Sequence, residues 1–175
     1  MSRSFIVSRL APEGVSRALP LLNVLRPGST VQDWQALAHC ATGSDDVRRA
    51  LQGIMVCQSG TGYIRGLFTY RVGGCEPAGG GAASRTLCVD NVIALGLFDT
   101  PATMAALLDT IDLLARDLAC AEVRIDVTEH PAEHRARDVV DAFARHGYAD
   151  TDGALVKTVP PQGPEGPTTE AAGSA

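Results

Sequence analysis

A carboxylate and an amide interrupt an apolar stretch near the middle of the chain. Asp90 and Asn91 lie within the run from Leu87 to Leu97, whose other members are mostly valine, isoleucine and leucine. Burial raises the pKa of a carboxyl group, so a carboxylate in such surroundings can serve as a general base. A β-bulge or a strand end with satisfied hydrogen bonds would also explain the two polar residues. Asp90 is therefore the candidate catalytic residue, and a bulge is the alternative interpretation.

A second group of polar residues has the spacing of a metal site. His130, Glu133 and His134 match His-x-x-Glu-His, a pattern found in zinc proteases. Pro131 puts His130 at or before the start of a helix, so the two imidazole rings are not expected to converge. We predict no metal here. A solvated loop is one interpretation, and a substrate-side acid or base that includes His130 is the other.

The cysteines do not form a recognisable redox or metal motif. There are five, an odd number, and none belongs to a Cys-x-x-Cys pair. Wide spacing and apolar surroundings favour buried, reduced thiols. The five are Cys40, Cys57, Cys75, Cys88 and Cys120.

Composition restricts the class of protein. The chain has 175 residues, 45% of them apolar, and a formal net charge of -5, which disfavours general binding to nucleic acid or to an anionic membrane. Met1 to Leu10 lacks the apolar run of a signal peptide. No stretch approaches the roughly 18 apolar residues of a membrane span. The sequence therefore predicts a cytoplasmic protein.

The elements that position Asp90 form a strand–helix–strand unit between Thr86 and Thr128. The first strand runs to Phe98 and is apolar on both faces, as in a central strand. Thr100 and Pro101 are a typical helix start, a hydroxyl cap followed by proline. The last strand alternates apolar and charged residues. Because such units bind ligands where the first strand meets the helix, we expect a ligand at this junction.

The rest of the chain supplies the remaining elements of a mixed α/β sheet. Thr30 and Asp33 have the spacing of a helix-capping box, and Gly147 is expected to end the last helix. The predicted elements are a strand at Ser4–Leu10, helices at 12–26 and 30–40, a helical turn at 47–52, strands at Ile54–Gln58 and Tyr63–Val72 joined by a hairpin loop, a glycine-rich mobile connector at Gly73–Ser84, a helix ending at His146 and a last strand at Ala154–Val159. Residues 4–159 form one predicted domain, and residues 160–175 a disordered tail.

The order of these elements resembles the GNAT superfamily of acyl-CoA-dependent N-acyltransferases. The segment AALLDTIDLLARDLACAEVRIDV is similar to that family's third helix and fifth strand, and DAFARHGYADTDGALVKTV to its fourth helix and closing strands. The resemblance implies a GNAT-type α/β fold (a mixed α+β sheet). It also implies acetyl-CoA or another acyl-CoA as donor, and a small-molecule or peptide amine as acceptor.

The resemblance also implies a donor site. In the family the fourth and fifth strands splay apart, the pantetheine arm lies between them, and backbone amides at the start of the third helix hold the diphosphate. Matching the helices by Ala-Leu-Leu gives the candidate donor-binding residues Leu95, Gly96, Leu97, Thr100, Ala102, Thr103 and Met104.

This loop departs from the family pattern Arg/Gln-x-x-Gly-x-Gly/Ala. Asp99 occupies the Arg/Gln position, Ala102 the first glycine position and Met104 the second small position, while Pro101 removes an amide donor. A fixed negative charge beside a diphosphate is unfavourable. The loop is therefore degenerate, and the sequence predicts weak or absent CoA binding. A helix cap without any ligand is the alternative interpretation.

The sequence indicates the acceptor site less clearly than the donor site. Tyr63, Arg65 and Tyr70 lie on the hairpin that faces the Asp90 strand and, with His130, are candidate substrate-binding residues. Solvated strand positions are the alternative. Phe143 occupies the position at which many family members carry an acidic tyrosine, so the resemblance supplies no general acid.

Three functions remain open at this point. The first is N-acyl transfer by direct attack of an amine on the thioester. The second is a non-catalytic GNAT-fold binding or regulatory module that has lost CoA binding. The third is transfer from an acyl carrier protein. A homodimer or a protein partner is compatible with each of these functions.

Overall fold

The computed structural model describes residues 5–25, 27–40, 51–75, 84–94, 100–126, 141–151 and 153–160. These residues form one mixed sheet with strand order β1-β2-β3-β4-β5-β7-β6. Its strands are β1 (Phe5–Arg9), β2 (Gln52–Ser59), β3 (Ile64–Cys75), β4 (Ser84–Ala94), β5 (Glu122–Asp126), β6 (Ala149–Thr151) and β7 (Ala154–Thr158). The helices are a 3-10 turn at Pro12–Gly14, α1 (Val15–Leu25), α2 (Val31–Cys40) and α3 (Thr100–Asp117), and residues 141–145 are also helical.

The predicted strand–helix–strand unit is β4, α3 and β5. Strands β4 and β5 are parallel, whereas the other adjacent pairs are antiparallel. The crossover helix α3 buries one stripe of side chains, as its periodicity predicts. The buried residues are Thr103, Met104, Leu107, Leu108, Ile111 and Ala115.

Helices cover the two faces of the sheet differently. The face toward α3, called here the α3 face, includes Leu87, Val89, Val123 and Ile125, all buried in one cluster with that helix. The opposite face packs against α1 and α2 through a second cluster that includes Ile54, Val56, Leu67, Ile93 and Trp34. Because side chains alternate along a strand, neighbouring residues of β3 and β4 belong to different faces.

The two capping predictions are confirmed. The Thr30 hydroxyl accepts a hydrogen bond from the Asp33 N–H at 3.2 Å, and the Asp33 carboxylate accepts one from the Thr30 N–H at 2.8 Å. These bonds from Thr30 lower the pKa of Asp33. At the other end of the chain Gly147 has φ 86, and the Tyr148 N–H donates to the Phe143 carbonyl at 3.1 Å. This geometry is a Schellman C-cap.

One boundary prediction is wrong, and one strand was not among the predicted elements. Gly73 and Gly74 belong to β3, because they pair with Thr86 and Arg85 instead of forming a connector. Strand β6 has three residues, all exposed, so no apolar pattern marks it. Residues 76–83, most of the predicted helical turn at 47–52, and 161–175 of the predicted tail lie outside the described residues.

Candidate functional site

Strands β4 and β5 pair only along the first part of β4. Their register runs from Thr86↔Glu122 to Val89↔Ile125, while β4 continues to Ala94 and stays paired with β3. We call the space beside residues 90–94 of β4, on the side of β5, the fork. Backbone N–H and C=O groups along a strand edge need partners. Among the described residues, no strand pairs with the edge of β4 that faces the fork.

A β-bulge lies at the start of the fork. Thr69 pairs with Asp90 and Leu67 with Ile93, so Phe68 of β3 lies opposite two residues of β4. The Thr69 hydroxyl donates to the Asp90 carbonyl oxygen at 3.0 Å. This is the bulge that the sequence left as an alternative at Asp90 and Asn91. Bulges bend a strand and are frequent beside active sites.

The Asp90 side chain lies at the beginning of the fork, on the face opposite α3. Its pairing with Thr69 fixes that face, since Tyr70, the next residue of β3, is in the α3-face cluster. The carboxylate is 3.6 Å from the Arg71 Nε, and its side chain is 37% exposed. Asp90 is thus half-exposed beside a guanidinium. The apolar neighbours that suggested burial lie partly on the other face.

The start of α3 divides the predicted donor-binding residues into two groups. Thr100 is partly exposed, and Ala102 is exposed. The side chains of Thr103 and Met104 are in the core at 0% and 5% exposure. A diphosphate could therefore reach the backbone amides of this turn but not the Met104 side chain. The buried Thr103 Oγ1 has no hydrogen-bond partner.

Gly66 allows α3 to lie close to the sheet beside the fork. A Cβ at this position would lie 2.6 Å from the Ile93 carbonyl oxygen, 2.9 Å from Leu107 Cδ1 and 3.0 Å from Thr103 Cγ2. Only glycine fits between this strand and the first turns of the helix. The sequence analysis missed this residue, although an isolated glycine within a strand pattern often marks such a close approach.

The three predicted acceptor residues on the hairpin have different surroundings. Tyr63 lies in the loop before β3 and is 69% exposed, and Arg65 is half-buried at the start of β3. Tyr70 is buried on the α3 face, where its hydroxyl accepts a hydrogen bond from the Arg9 guanidinium. Burial raises the pKa of Tyr70. Asp90 and Tyr70 therefore lie on opposite faces of the sheet.

The position of Phe143 holds a core side chain. Phe143 is fully buried and meets Tyr148 edge to face, with ring centroids 5.3 Å apart. The Tyr148 hydroxyl donates to the Asp112 carboxylate at 3.2 Å, and Lys157 Nζ lies 2.5 Å from the same carboxylate. Burial, with Asp112 close by, raises the pKa of Tyr148 well above its usual range. These contacts hold β7 and the last helix against α3.

Several candidate residues lie outside the described part of the chain, namely Leu95, Gly96, Leu97, His130 and His134. Among the residues that are described, no group of three or more His, Cys, Asp or Glu side chains could hold a metal ion. Cys57 and Cys120 are buried free thiols, and Cys88 is a cysteine of intermediate exposure. No helix among the described residues is long and apolar enough to cross a membrane.

Solved structures resemble this chain, although no protein-family model and no curated protein sequence matches it. An acetyltransferase of the GNAT family from Streptococcus pneumoniae has a TM-score of 0.66 at 10% identity, over 90% of this chain and 100% of its own. The aminoglycoside 6'-N-acetyltransferase AAC(6')-Ih from Acinetobacter baumannii has a TM-score of 0.64 at 13% identity, over 85% and 93%. Arabidopsis thaliana Naa50, in complex with the bisubstrate analogue CoA-Ac-MVNAL, has a TM-score of 0.62 at 13% identity, over 89% and 99%.

The chain has the GNAT fold. The fold that the sequence resemblance implied is therefore confirmed across most of the chain, including the order of elements from β1 to β7. Within this GNAT fold the fork, the bulge and the start of α3 lie together, because α3 follows β4 directly and returns across its α3 face. Asp90, Ala102 and Gly66 are described residues at this candidate site.

Proposed function

We propose that this protein is an acyl-CoA-dependent N-acyltransferase whose donor lies in the fork and whose acceptor is a primary amine. The observation that carries the proposal is the coincidence of three features. Pairing with β5 ends at Val89, the bulge follows at Asn91, and the first turn of α3 begins at Thr100. A bulged strand edge that no other described strand pairs with, next to a helix N-terminus, suits an extended ligand that carries amides and phosphates.

The donor would be held mainly by backbone groups. The pantetheine arm, which contains two amides, would lie along the fork edge of β4, with the amides of Leu95, Gly96 and Leu97 near the thioester. The phosphates would lie at the exposed turn around Ala102, where the helix dipole favours negative charge. Pro101 contributes no N–H to this turn, so we expect a donor affinity below that of a complete phosphate loop.

The chemistry would be direct attack. The neutral amine nitrogen bonds to the thioester carbon, the C–S bond breaks, and the CoA thiolate leaves. The proton lost by the amine passes to the Asp90 carboxylate, directly or through a water, and solvent protonates the thiolate. Asp90 is suited to this role because its carboxylate is partly exposed at the start of the fork. Positioning of the two substrates would supply most of the acceleration.

The acceptor is assigned only as an amine. Among the GNAT-fold structures similar to this chain, one is named as an aminoglycoside acetyltransferase and another was solved with a bisubstrate analogue, CoA-Ac-MVNAL. Small molecules and peptides are thus both represented. Tyr63, in the loop before β3, and Arg65, near the start of β3, remain candidate acceptor contacts.

Calorimetric titration with acetyl-CoA, followed by detection of released CoA thiol over a panel of amines, tests the proposal. We expect measurable binding and amine-dependent CoA release. Asp90→Asn should lower kcat/KM by about 10²-fold or more while acetyl-CoA binding stays unchanged. Asp150→Asn, an exposed substitution on β6, is the matched control and should have no effect. Absence of acetyl-CoA binding would rule out the proposal.

A non-catalytic GNAT-fold module is the second candidate. One observation favours it: the position of Phe143 is a fully buried core site without a hydroxyl, so no general acid comes from there. The same titration separates the two functions. A module that has lost its donor would bind neither acetyl-CoA nor CoA, whereas a transferase without a general acid binds both and turns over slowly.

A further inference from the structure

We infer that the acceptor carries an anionic group in addition to its amine, and that Arg71 and Arg124 bind this group beside Asp90. The inference rests on the proposed function, which it deepens by naming a class of acceptor. It is based on three charged side chains that the sheet register brings to one face. Neither Arg71 nor Arg124 is among the substrate-binding residues predicted from the sequence.

The register sets the arrangement. Arg71 of β3 pairs with Cys88 of β4, and Cys88 pairs with Arg124 of β5. Directly paired residues point to the same face, so the two arginines flank β4 in one row. With neighbouring strands about 4.8 Å apart, their Cα atoms are separated by about 10 Å. We call Arg71, Cys88 and Arg124 the arginine row.

Asp90 is adjacent to the arginine row on the same face. It follows Cys88 by two residues along β4, and its carboxylate lies 3.6 Å from Arg71 Nε. The row occupies the last part of the β4–β5 pairing, whereas Asp90 lies where that pairing has ended. An acceptor that reaches from the row toward the fork would therefore pass Asp90.

Both arginine side chains are available to a ligand. The Arg71 side chain is 66% exposed, and Arg124 is also exposed. The contact from Arg71 to Asp90 is longer than a normal hydrogen bond, so it leaves the guanidinium N–H donors to other partners. A guanidinium has five donors in a planar fork that suits carboxylate and phosphate oxygens. Two such groups flanking one strand can bind an anion between them.

The remaining charges on this face point to a small zwitterion. Glu122 lies two residues before Arg124, toward the start of β5 and away from the fork. The positions that follow the row toward the fork on this face are acidic, Asp90 on β4 and Asp126 on β5, so the anion-binding row is followed by residues that suit an amine. A neutral amine near Asp90 and an anion at the row would be a few ångströms apart. This spacing suits a short amino acid or an amino phosphate.

Matched acceptors test the inference on the full chain with acetyl-CoA. β-Alanine is compared with β-alaninamide, and phosphoethanolamine with ethanolamine, by the rate of CoA thiol release. We expect kcat/KM to be about 10-fold or more higher for at least one anionic member than for its neutral partner. The first pair tests whether a carboxylate on the acceptor is recognised, and the second pair tests whether a phosphate is recognised.

Arg124→Ala is the decisive variant because Arg124 does not contact Asp90. This variant should raise the KM of the anionic acceptor about 10-fold and leave its kcat unchanged. The kcat/KM of the neutral acceptor should not change, so the preference for the anionic acceptor is lost. Arg124→Lys should retain part of the preference for the anionic acceptor. Arg116→Ala, an exposed arginine in the last turn of α3, is the control and should retain the full preference.

Neutral acceptors used as well as anionic ones, or a preference that survives Arg124→Ala, would overturn the inference and leave the transferase proposal intact. Failure of acetyl-CoA to bind would instead count against the transferase. In that case binding of β-alanine and phosphoethanolamine is measured directly by calorimetry. Binding that Arg124→Ala weakens would support the anion site, and binding that this variant leaves unchanged, or no binding, would overturn it.

Discussion

The two halves of β4 lie in different surroundings. From Thr86 to Val89 the strand pairs with β3 and β5, and Leu87 and Val89 are fully buried under α3. From Asp90 onward the strand pairs, among the described residues, only with β3, contains a bulge and has a partly exposed carboxylate. The first half is a structural core strand. The second half has the unpaired edge and the polar side chain that a binding site requires.

This difference shows how one strand can serve stability and function together. Ligand contacts need backbone groups without partners, and such groups are tolerated only where the surrounding structure is fixed by other contacts. The doubly paired half of β4 and the buried stripe of α3 provide that rigidity. Substitutions in the two halves should therefore separate stability from activity.

The largest effect on stability is expected in the first half. Leu87→Ala removes a fully buried side chain from the α3-face core. We expect the free energy of unfolding to fall by about 2–5 kcal/mol. Asp90→Ala, on the same strand but half-exposed, should change it by about 0.5 kcal/mol or less. Urea denaturation measures both, and equal losses would contradict the division of β4 into two halves.

An intermediate effect is expected at Gly66, where the core meets the fork. The Cβ of Gly66→Ala would lie 2.6 Å from the Ile93 carbonyl oxygen, so helix and strand must move apart. We expect a loss of about 1–3 kcal/mol in unfolding free energy. Acetyl-CoA binding should weaken as well, because the start of α3 shifts.

Gly60→Ala is the matched control for Gly66→Ala. Gly60 lies in the β2–β3 turn, and a Cβ there meets nothing within 4 Å. Its stability and its calorimetric affinity for acetyl-CoA should match those of the unmodified protein. A stable Gly66→Ala variant with normal affinity would show that the helix can reposition without cost.

A smaller effect, opposite in sign for stability and for binding, is expected at the exposed Ala102. A carboxylate in the first turn interacts favourably with the helix dipole, so Ala102→Asp should gain a few tenths of a kcal/mol in stability relative to Ala102→Asn. The same charge repels a diphosphate and should lower acetyl-CoA affinity about tenfold relative to Ala102→Asn. Thermal unfolding and calorimetry measure the two effects. Equal affinities would place the phosphates elsewhere.

The last effect concerns the α3-face core, which includes Cys57 of β2, and appears only at high pH. Burial raises the pKa of the Cys57 thiol from about 9 to about 11. Between these values the folded chain keeps a proton that the unfolded chain has lost, so stability should fall as the pH rises from 9 toward 11. Cys57→Ala should make this decline shallower in denaturation series at several pH values. An unchanged slope would mean that the thiolate is stabilised in the fold.

Local sequence signals predicted much of the fold. The Thr30–Asp33 capping box, the Gly147 C-cap and the periodicity of α3 are each set within a few residues, and all are observed. The site was predicted less completely. Asp90 lies at a bulge of β4 and stays a predicted catalytic residue, but Tyr70 was grouped with it although the two residues lie on opposite faces. A shift of one residue along a strand moves a side chain to the other face of the sheet. Sequence spacing alone does not show which residues of two different strands share a face.

The sequence by itself determined where the helices and most strands lie, because hydrophobic periodicity and capping act over short distances. It also determined the GNAT fold, through the order of those elements. Only the tertiary structure decided where the described pairing of β4 with β5 stops, where the bulge falls, that Gly66 lets α3 approach the sheet, and that Arg71 and Arg124 flank Cys88 next to Asp90. Each of these depends on which residues pair across strands far apart in the chain, and that register is set by packing of the whole sheet.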